Sequence, residues 1–300
     1  MNYLKYLVLT TTSLLLLSCA SKKQEVTPVI KPFTFEKIAT LPKVINESSG
    51  LITLNGNLIT LNDSGGGAVI YELDTSGILL KQHNYSYLQN IDWESITQSD
   101  RYIHIADVGN NRGNRNNLKV YNIMKDQIWN TDLEMDISGI SYAAQTDFKK
   151  RNQNHPYDAE ATQVIDNQFY LFSKDWVDFS TTIYKTDLFT DSSLTAQQTI
   201  DVNGLITGAS FNGNDIVVLC GYDQSLQPFI VTLSYDSGTF KLVHRHELPI
   251  AGAQIEAITY YKTDGNGNDI YYLTSEAVNV KLGDDEASTA GELYKLTLKN

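Results

Sequence analysis

A repeated unit constrains this chain more than any other feature of its sequence. Residues 91–111, IDWESITQSDRYIHIADVGNN, contain two apolar segments joined by a polar turn, with acidic residues at the open end of the hairpin. The same order of acid, strand, turn, strand and acid recurs at residues 46–65, 157–175 and 254–276, and residues 206–223 keep it except that Gly208 replaces the first acid. The copies are spaced by 47, 66, 48 and 48 residues when they are aligned on Glu47, Glu94, Glu160, Gly208 and Glu256.

This period predicts the fold class. An all-β unit that recurs at such a spacing indicates a β-propeller, in which each repeat forms one four-stranded blade. Five copies are visible, so we predict five blades. The last copy has room for only three strands before Asn300, whereas residues 33–41 alternate as a strand does. We therefore expect this N-terminal strand to join the last blade, which closes the ring and removes an open sheet edge.

The N-terminus has the features of a targeting segment. Lys5 precedes an apolar run at residues 7–17, which is too short to span a bilayer comfortably. The run ends in LLSC, which resembles the bacterial lipoprotein signal, in which the cysteine becomes the lipidated N-terminus. Residues 1–18 would then be the signal peptide, Cys19 the lipidation site, 19–32 the lipidated cysteine with its tether, and 33–300 one propeller domain. The alternative is a plain secretory signal in which Cys19 has no special role.

The charge balance limits the partners. Removal of residues 1–18 leaves 22 basic and 35 acidic residues, a net charge of −13. This argues against nucleic acid or an anionic membrane surface as the main partner. Membrane attachment is expected from the lipid instead, which predicts a place in the bacterial cell envelope, facing the periplasm or the outside. The remaining partner is then a small anionic ligand or another envelope protein.

Loop lengths divide the predicted propeller into two faces. Blade topology places the first and third turns of each blade on one face, where the sequence has short turns such as 55–57 and 166–167. The other face carries the remaining loops and the blade-to-blade connections, and the long segments fall there: 108–117, 147–156, 176–181 and 277–290. Long loops clustered at one end of a rigid scaffold commonly carry function. The acidic ends of the hairpins open on this same face.

The repeated acids are expected to ring the mouth of the central channel. So many carboxylates cannot all be ionised in one cleft unless a cation neutralises them. Hard oxygen ligands in that number suit Ca²⁺ or Mg²⁺. The alternative is that the acids cap strand ends by accepting backbone hydrogen bonds. The predicted metal ligands are Glu47, Glu94, Glu160, Glu256, Asp63, Asp107, Asp175 and Glu276.

Basic side chains of the long loops are expected close to these acids. A metal bordered by basic groups would suit an anionic ligand such as a phosphate ester, bound through the metal and clamped by arginine. The predicted ligand-binding residues are Asp92, Arg112, Arg115 and Lys174. No catalytic residue is assigned.

Two stretches resemble a known group of proteins. EAITYY at 256–261, DGNGND at 264–269 and YYLTSE at 271–276 are similar to the matching part of β-propeller phytases and their wider relatives. DWES and ADVGNNRG, within 92–113, resemble a segment of uncharacterised secreted bacterial propellers of the same group. The resemblance implies acidic residues that hold calcium ions, which bind phosphate and activate water. Phytases of this type have six blades, so six is the alternative to the five counted.

Three functions are compatible with these observations. The one we favour, because no nucleophile motif is present, is a cell-envelope lipoprotein that binds a ligand or partner at its long-loop face with a divalent cation. The second is a calcium-dependent hydrolase of phosphate or related esters, which would use a metal-activated water. The third is a structural scaffold of the envelope, in which the acids only cap strands.

Overall fold

The computed structural model describes residues 32–131, 133, 135–277, 279–282 and 285–299. The chain in these ranges is all β, and five antiparallel sheets form a five-bladed β-propeller, which confirms the predicted fold class. The described part contains no helix that could cross a membrane. The predicted signal peptide, Cys19 and nearly all of the tether lie outside the described residues.

Each blade is a sheet whose strands run outward from the central channel in chain order. The chain enters the propeller through β1 (Phe33–Thr40). Blade 1 then comprises β2 (Ser48–Leu54), β3 (Asn57–Asn62), β4 (Val69–Leu73) and β5 (Leu79–Asn84). Blade 2 comprises β6 (Trp93–Gln98), β7 (Tyr102–Asp107), β8 (Leu118–Met124) and β9 (Asp136–Tyr142).

The other three blades follow the same plan. Blade 3 comprises β10 (Ala159–Ile165), β11 (Gln168–Ser173), β12 (Ser180–Asp187) and, after the short β13 (Ser192–Leu194), β14 (Ala196–Asp201). Blade 4 comprises β15 (Leu205–Phe211), β16 (Ile216–Tyr222), β17 (Pro228–Asp236) and β18 (Thr239–Glu247). Blade 5 contains β19 (Ile255–Thr263) and β20 (Asp269–Ser275), then, after a hairpin of β21 (Asn279–Leu282) and β22 (Asp285–Ser288), β23 (Glu292–Leu298).

The ring is closed by the two ends of the domain. β1 pairs antiparallel with β23, from Phe33 opposite Leu298 to Thr40 opposite Glu292. β1 is therefore the outer strand of blade 5, as the sequence predicted. One pairing was not predicted. β13 leaves blade 3 and pairs in parallel with β9, so that it adds a fifth strand to the outer edge of blade 2.

The five inner strands β2, β6, β10, β15 and β19 contact one another in a closed ring around the channel. Each inner strand has a β-bulge close to its first residue, at the end that lies on the long-loop face. The extra residues are Ser49, Glu94, Glu160, Thr207 and Glu256. The residue after each bulge is small, in the order Gly50, Ser95, Ala161, Gly208 and Ala257. Small side chains are required because the strands approach closely here. A Cβ atom on Gly50 would lie only 2.7 Å from the backbone nitrogen of Ile96.

Five apolar layers fill the five interfaces between neighbouring blades. Fully buried side chains at their centres include Trp93 between blades 1 and 2, Phe229 between blades 3 and 4, and Tyr271 between blades 4 and 5. Cys220 belongs to the last of these layers as a free buried thiol. Because every layer is shared by two blades, no blade has a complete core of its own, and the ring holds together as one unit.

Candidate functional site

A polar cavity of about 160 Å³ lies at the mouth of the central channel, on the long-loop face. We call it the mouth cavity. The bulges place Glu94, Glu160 and Glu256 in its lining. A second group lies at or just beyond the end of the second strand of four blades, and comprises Asp63, Lys174, Tyr222 and Glu276. The lining is completed by Asn111, Gln153, Trp176 and Gln254.

The bulge is the local feature that brings the three glutamates together. A β-bulge leaves one residue out of the ladder and re-aims its side chain. In blades 1 and 4 the bulge residue is a hydroxyl instead of an acid. Ser49 Oγ donates a hydrogen bond to the carbonyl of Trp93 at 2.6 Å, and Thr207 Oγ1 donates one to the carbonyl of Ile255 at 2.6 Å. These two hydrogen bonds connect the inner strands of blades 1 and 4 to blades 2 and 5, respectively.

The predicted ring of acids was out of register in two blades. Glu47 lies two residues before the bulge of blade 1 and does not line the mouth cavity. Gly208 lies one residue after the bulge of blade 4. A Cβ atom on Gly208 would be 2.8 Å from Cys220 Sγ and 3.1 Å from Ala257 Cα, so a glutamate could not occupy this position without displacing β16 and β19.

Asp107 and Asp175 also lie outside the lining of the mouth cavity. Asp107 is completely buried, and its Oδ1 accepts hydrogen bonds from Arg115 Nη2 at 2.7 Å and from the backbone nitrogen of Asp92 at 3.2 Å. Asp175 Oδ1 accepts two hydrogen bonds from backbone amides of the turn that follows it. Both carboxylates therefore fix loops, which is the capping role considered as the alternative for the repeated acids.

Lys174 forms a buried ion pair inside the mouth cavity. Its Nζ donates to Glu160 Oε1 at 2.6 Å and to Oε2 at 2.5 Å, and both residues are 4% exposed. The ring centroids of Trp176 and Tyr222 lie 4.9 and 5.3 Å from Nζ. Burial disfavours the ammonium, but Glu160 and other carboxylates more than offset this and hold the pKa of Lys174 well above its usual value. Lys174 is thus a fixed cation among the acids.

The acids of the mouth cavity hold their protons unusually strongly. Burial, with help from neighbouring carboxylates, raises the pKa of Asp63 to about 8 and that of Glu276 to about 7. Burial also raises the pKa of Glu94 and Glu256 well above the usual range. It also raises the pKa of Glu160, although the Lys174 ammonium that donates to both of its oxygens opposes the shift. At neutral pH the mouth cavity therefore retains protons that a bound cation could displace.

We expect the free energy of unfolding to fall as the pH rises from 6.5 to 8.5. The mouth acids are raised above their unfolded pKa values, so the folded state binds more protons than the unfolded state and loses this advantage as they ionise. Urea unfolding at several pH values would measure the slope, and Asp63→Asn should reduce it. The range starts at 6.5 because burial lowers the pKa of His104 to about 4, which opposes the trend below that pH. A free energy of unfolding that rises over this range would contradict protonation of the carboxyl groups in the mouth cavity.

A second cavity, of about 390 Å³, borders the mouth cavity and shares Asn111 with it. We call it the loop cavity, and it is lined by Ser64, Ile91, Asp92, Asn110, Asn111, Arg112, Asn114 and Arg115. Three of the four predicted ligand-binding residues, Asp92, Arg112 and Arg115, thus meet in one cavity, whereas Lys174 lies in the other. Burial raises the pKa of Asp92 to about 6, with the Arg115 guanidinium opposing the shift.

The Arg115 guanidinium is occupied by its own loop. Nη1 donates to the carbonyl of Gly109 at 2.7 Å, Nη2 to Asp107 Oδ1 at 2.7 Å, and Nε to Asn117 Oδ1 at 3.1 Å. These contacts hold the segment 107–117 in one shape and leave little of the guanidinium for a ligand. Arg112 differs, because its side chain is exposed and makes no hydrogen bond or ion pair within the described part of the chain.

Among the site residues that were not predicted, Trp176, Tyr222 and Asp158 make the most specific contacts. Trp176 and Tyr222 carried no signal in the sequence, since each stands alone at the end of a strand or the start of a loop. Asp158 was noticed only as part of a repeat. It is completely buried, and it accepts hydrogen bonds from the backbone nitrogen of Asn110 at 2.6 Å and from Trp176 Nε1 at 2.8 Å. It therefore positions one wall of each cavity.

The oxygen donors of the mouth cavity fit a hard cation in kind. Carboxylates and amides line it, and no histidine or cysteine is among the lining residues. In the part of the chain that the structure describes, however, no three groups of the types His, Cys, Asp and Glu are close enough together to hold a metal ion as they stand. A cation would therefore have to draw the carboxylates inward.

Comparison with known proteins informs the fold. No protein-family model matches this sequence, and no curated protein matches it either. The PQQ-bound form of aldose sugar dehydrogenase from Streptomyces coelicolor is similar in structure, with a TM-score of 0.50 and 9% identity over 89% of this chain and 99% of that chain. A glucose dehydrogenase gives a TM-score of 0.48 and 9% identity over 87% and 98%. The first similarity supports the β-propeller fold. At this identity it extends to the fold alone.

Proposed function

We propose that this protein is a ligand-binding β-propeller whose mouth cavity takes up a divalent cation in exchange for protons. The observation that carries the proposal is the group of buried carboxyls that surrounds the Lys174–Glu160 pair, each with a raised pKa. Burying such groups costs stability, and strongly perturbed pKa values cluster at functional sites. Asp63 Oδ1 is buried and has no hydrogen-bond partner among the described residues, which a capping role would not explain.

The charge of the mouth cavity favours a divalent cation. Its five carboxyls and one lysine would carry a net charge of −4 if all were ionised. A divalent ion would halve that charge and would lower the pKa of every carboxyl close to it. Calcium accepts six to eight oxygen ligands in irregular arrangements, so it tolerates a site assembled from four blades better than magnesium does.

Binding is better supported than hydrolysis. A phytase-like hydrolase would need cationic groups that stabilise the negative charge developing on a phosphate. Of the three basic residues predicted for that role, Arg115 and Lys174 are held by internal carboxylates. Arg112 alone is exposed without such a partner in the described chain. We therefore rank calcium-dependent hydrolysis of phosphate or related esters second, and a purely structural role third.

Calcium titration of the chain that lacks residues 1–18 tests this proposal. We expect calorimetric binding of Ca²⁺ with release of protons, tighter at pH 8 than at pH 6 because ionised carboxylates are the ligands. The double variant Glu94→Gln, Glu256→Gln should weaken binding by at least about tenfold, since it removes two charged ligands. Glu247→Gln is the matched control, because this glutamate is exposed on β18 away from the mouth. Wild-type protein that binds no Ca²⁺ at pH 8 would overturn the proposal.

We also propose that Cys19 carries a lipid and anchors the protein in the bacterial cell envelope. The support is the sequence LLSC at the end of the apolar N-terminal segment. A single acyl chain holds a protein only weakly, so firm attachment requires the multiple acylation of the lipoprotein signal. We expect incorporation of a labelled fatty acid into the wild type and none into Cys19→Ser. Label in both proteins, or in neither, would refute the anchor.

A further inference from the structure

We propose that the loop cavity binds a neutral polyhydroxylated ligand of monosaccharide size. The inference rests on the proposal that the long-loop face binds ligands, but it does not depend on the cation. The volume of about 390 Å³ falls within the range of roughly 300–1,000 Å³ that is typical of small-molecule sites, whereas the 160 Å³ mouth cavity is too small. The loop cavity therefore has room for an organic ligand beside the acids.

Internal contacts fix the wall of the loop cavity. Asn110 Oδ1 accepts a hydrogen bond from the backbone nitrogen of Arg115 at 2.9 Å, and its Nδ2 donates to the carbonyl of Tyr157 at 2.7 Å. The wall, residues 110–115, begins with a tight turn in which the backbone nitrogen of Gly113 donates to the carbonyl of Asn110 at 2.7 Å. Gly113 adopts a φ of +65°, and a Cβ there would lie 2.5 Å from the ring of His155, so glycine is required.

The loop before blade 3 holds the same wall from the other side. The backbone nitrogens of Arg151 and Gln153 donate to the carbonyls of Arg112 and Asn111, each at 2.8 Å. Gln145 Nε2 donates to the carbonyl of Gly113 at 2.9 Å. The backbone of residues 110–115 is thus pinned by two segments. A wall that is already ordered loses little conformational entropy on binding, which favours affinity for a small ligand.

Polar side chains on this wall are left uncommitted. Asn111, Arg112 and Asn114 make no side-chain hydrogen bond within the described residues, although all three line the loop cavity. They offer amide and guanidinium donors together with amide acceptors. Asp92, which also lines the cavity, offers a carboxylate acceptor. The cavity therefore presents both donors and acceptors, which a sugar hydroxyl matches because it both donates and accepts.

The charges around the loop cavity argue for a neutral ligand. Arg115 is neutralised by Asp107, and the two other charged residues of the lining, Arg112 and Asp92, carry opposite charges that sum to zero. The acidic mouth cavity lies directly behind Gly109. A Cβ atom on Gly109 would be 2.5 Å from both Asp92 Oδ2 and Glu94 Oε1, so these two oxygens lie within twice that distance of each other. An anionic ligand would meet both carboxyls, whereas hydroxyl groups can donate to them.

Titration of sugars into the chain that lacks residues 1–18 tests the inference. The probes are glucose, galactose, mannose and N-acetylglucosamine, with inorganic phosphate and glucose 6-phosphate as anionic counterparts, and binding is followed by saturation-transfer NMR. We expect at least one neutral sugar to bind. Arg112→Ala and Asn114→Ala should each raise its Kd by about tenfold, the effect of one lost hydrogen bond. Arg101→Ala is the control, since this exposed arginine lies in the β6–β7 turn on the other face.

The outcomes separate this inference from the proposed cation site. Sugar binding that survives in Glu94→Gln, Glu256→Gln and in the presence of EDTA would support the loop cavity even if Ca²⁺ binding had failed. Binding of calcium, without binding of any of the four sugars at concentrations of tens of millimolar, would overturn the inference alone. Tighter binding of glucose 6-phosphate or phosphate than of glucose would overturn it as well, as would an equal loss in Arg101→Ala.

Discussion

Replacing Lys174 with methionine is expected to lower the free energy of unfolding by about 3–5 kcal/mol at pH 8. The substitution removes the ammonium that donates to both carboxylate oxygens of Glu160, in a place where both residues are 4% exposed. Glu160 would then remain buried among other acids without a counter-charge. The loss should shrink at pH 6, because the carboxyl can accept a proton and become neutral. Urea unfolding at the two pH values measures both effects.

A double variant provides the control for this prediction. Replacing a buried ion pair by two neutral groups of similar shape is often close to neutral, whereas removing one partner is not. Lys174→Met combined with Glu160→Gln should therefore recover most of the lost stability. A single variant that loses less than about 1 kcal/mol at pH 8, which is the range of exposed ion pairs, would show that this pair does not behave as a buried one. Failure of the double variant to recover would point to packing of the lysine stem.

Gly221→Ala is expected to destabilise the fold by about 3 kcal/mol, the upper part of the range for overpacked cores. Gly221 lies in β16 opposite Ile206, just before the bulge of blade 4. A Cβ atom on Gly221 would stand 1.9 Å from the carbonyl oxygen of Leu205, which belongs to the backbone of the inner strand. The strand would have to move, and with it the bulge that carries Thr207 and the contact of Thr207 with blade 5.

Gly66→Ala is the matched control. A Cβ atom on Gly66 would have no heavy atom within 4 Å, and no left-handed backbone conformation makes glycine necessary there. We expect a change within about 0.5 kcal/mol, as for most exposed substitutions. Thermal or urea unfolding of both variants measures the difference. Equal stability of the two variants would contradict the close approach of Gly221 to the carbonyl of Leu205 in blade 4.

The repeat predicted the architecture because the physics of a blade is local. Alternating strands and short turns recur in every copy of the repeat, and the missing strand of the last copy is supplied by residues 33–40. The same spacing identified Glu94, Glu160 and Glu256 correctly as equivalent positions, since each follows one residue after the start of its hairpin. The calcium ion, the lipid anchor and the ligand stay predictions.

The register of the other two blades could not be seen in the sequence. A bulge adds one residue to a strand, and nothing in the residue types distinguishes Ser49 or Thr207 from their neighbours. A slip of a single residue turns a side chain to the opposite side of the strand. The alignment on acids therefore chose Glu47 in blade 1 and Gly208 in blade 4, whereas the bulge residues are Ser49 and Thr207.

The ion-pair partners of Lys174 and Arg115 could not be predicted from the sequence either. The sequence showed that Lys174 and Arg115 lie close to acidic residues, but a residue of either type could equally face a ligand or a neighbouring carboxylate. Only the folded chain shows that Glu160 binds the lysine across β10 and β11, and that Asp107 binds the arginine across its own loop. Pairings of this kind depend on distances between side chains, and no pattern in the sequence encodes them.

Closure by β1 also fixes the side of the propeller at which the chain from the N-terminus enters. Phe33 lies opposite Leu298, at the end of blade 5 where the short turns are, and the strand then runs toward the long-loop face at Thr40. A chain held at Cys19 would hang from the short-turn side, by 13 intervening residues that reach at most about 45 Å when extended. Both cavities lie on the opposite face of the propeller, so a membrane tether would leave the domain at the side away from them.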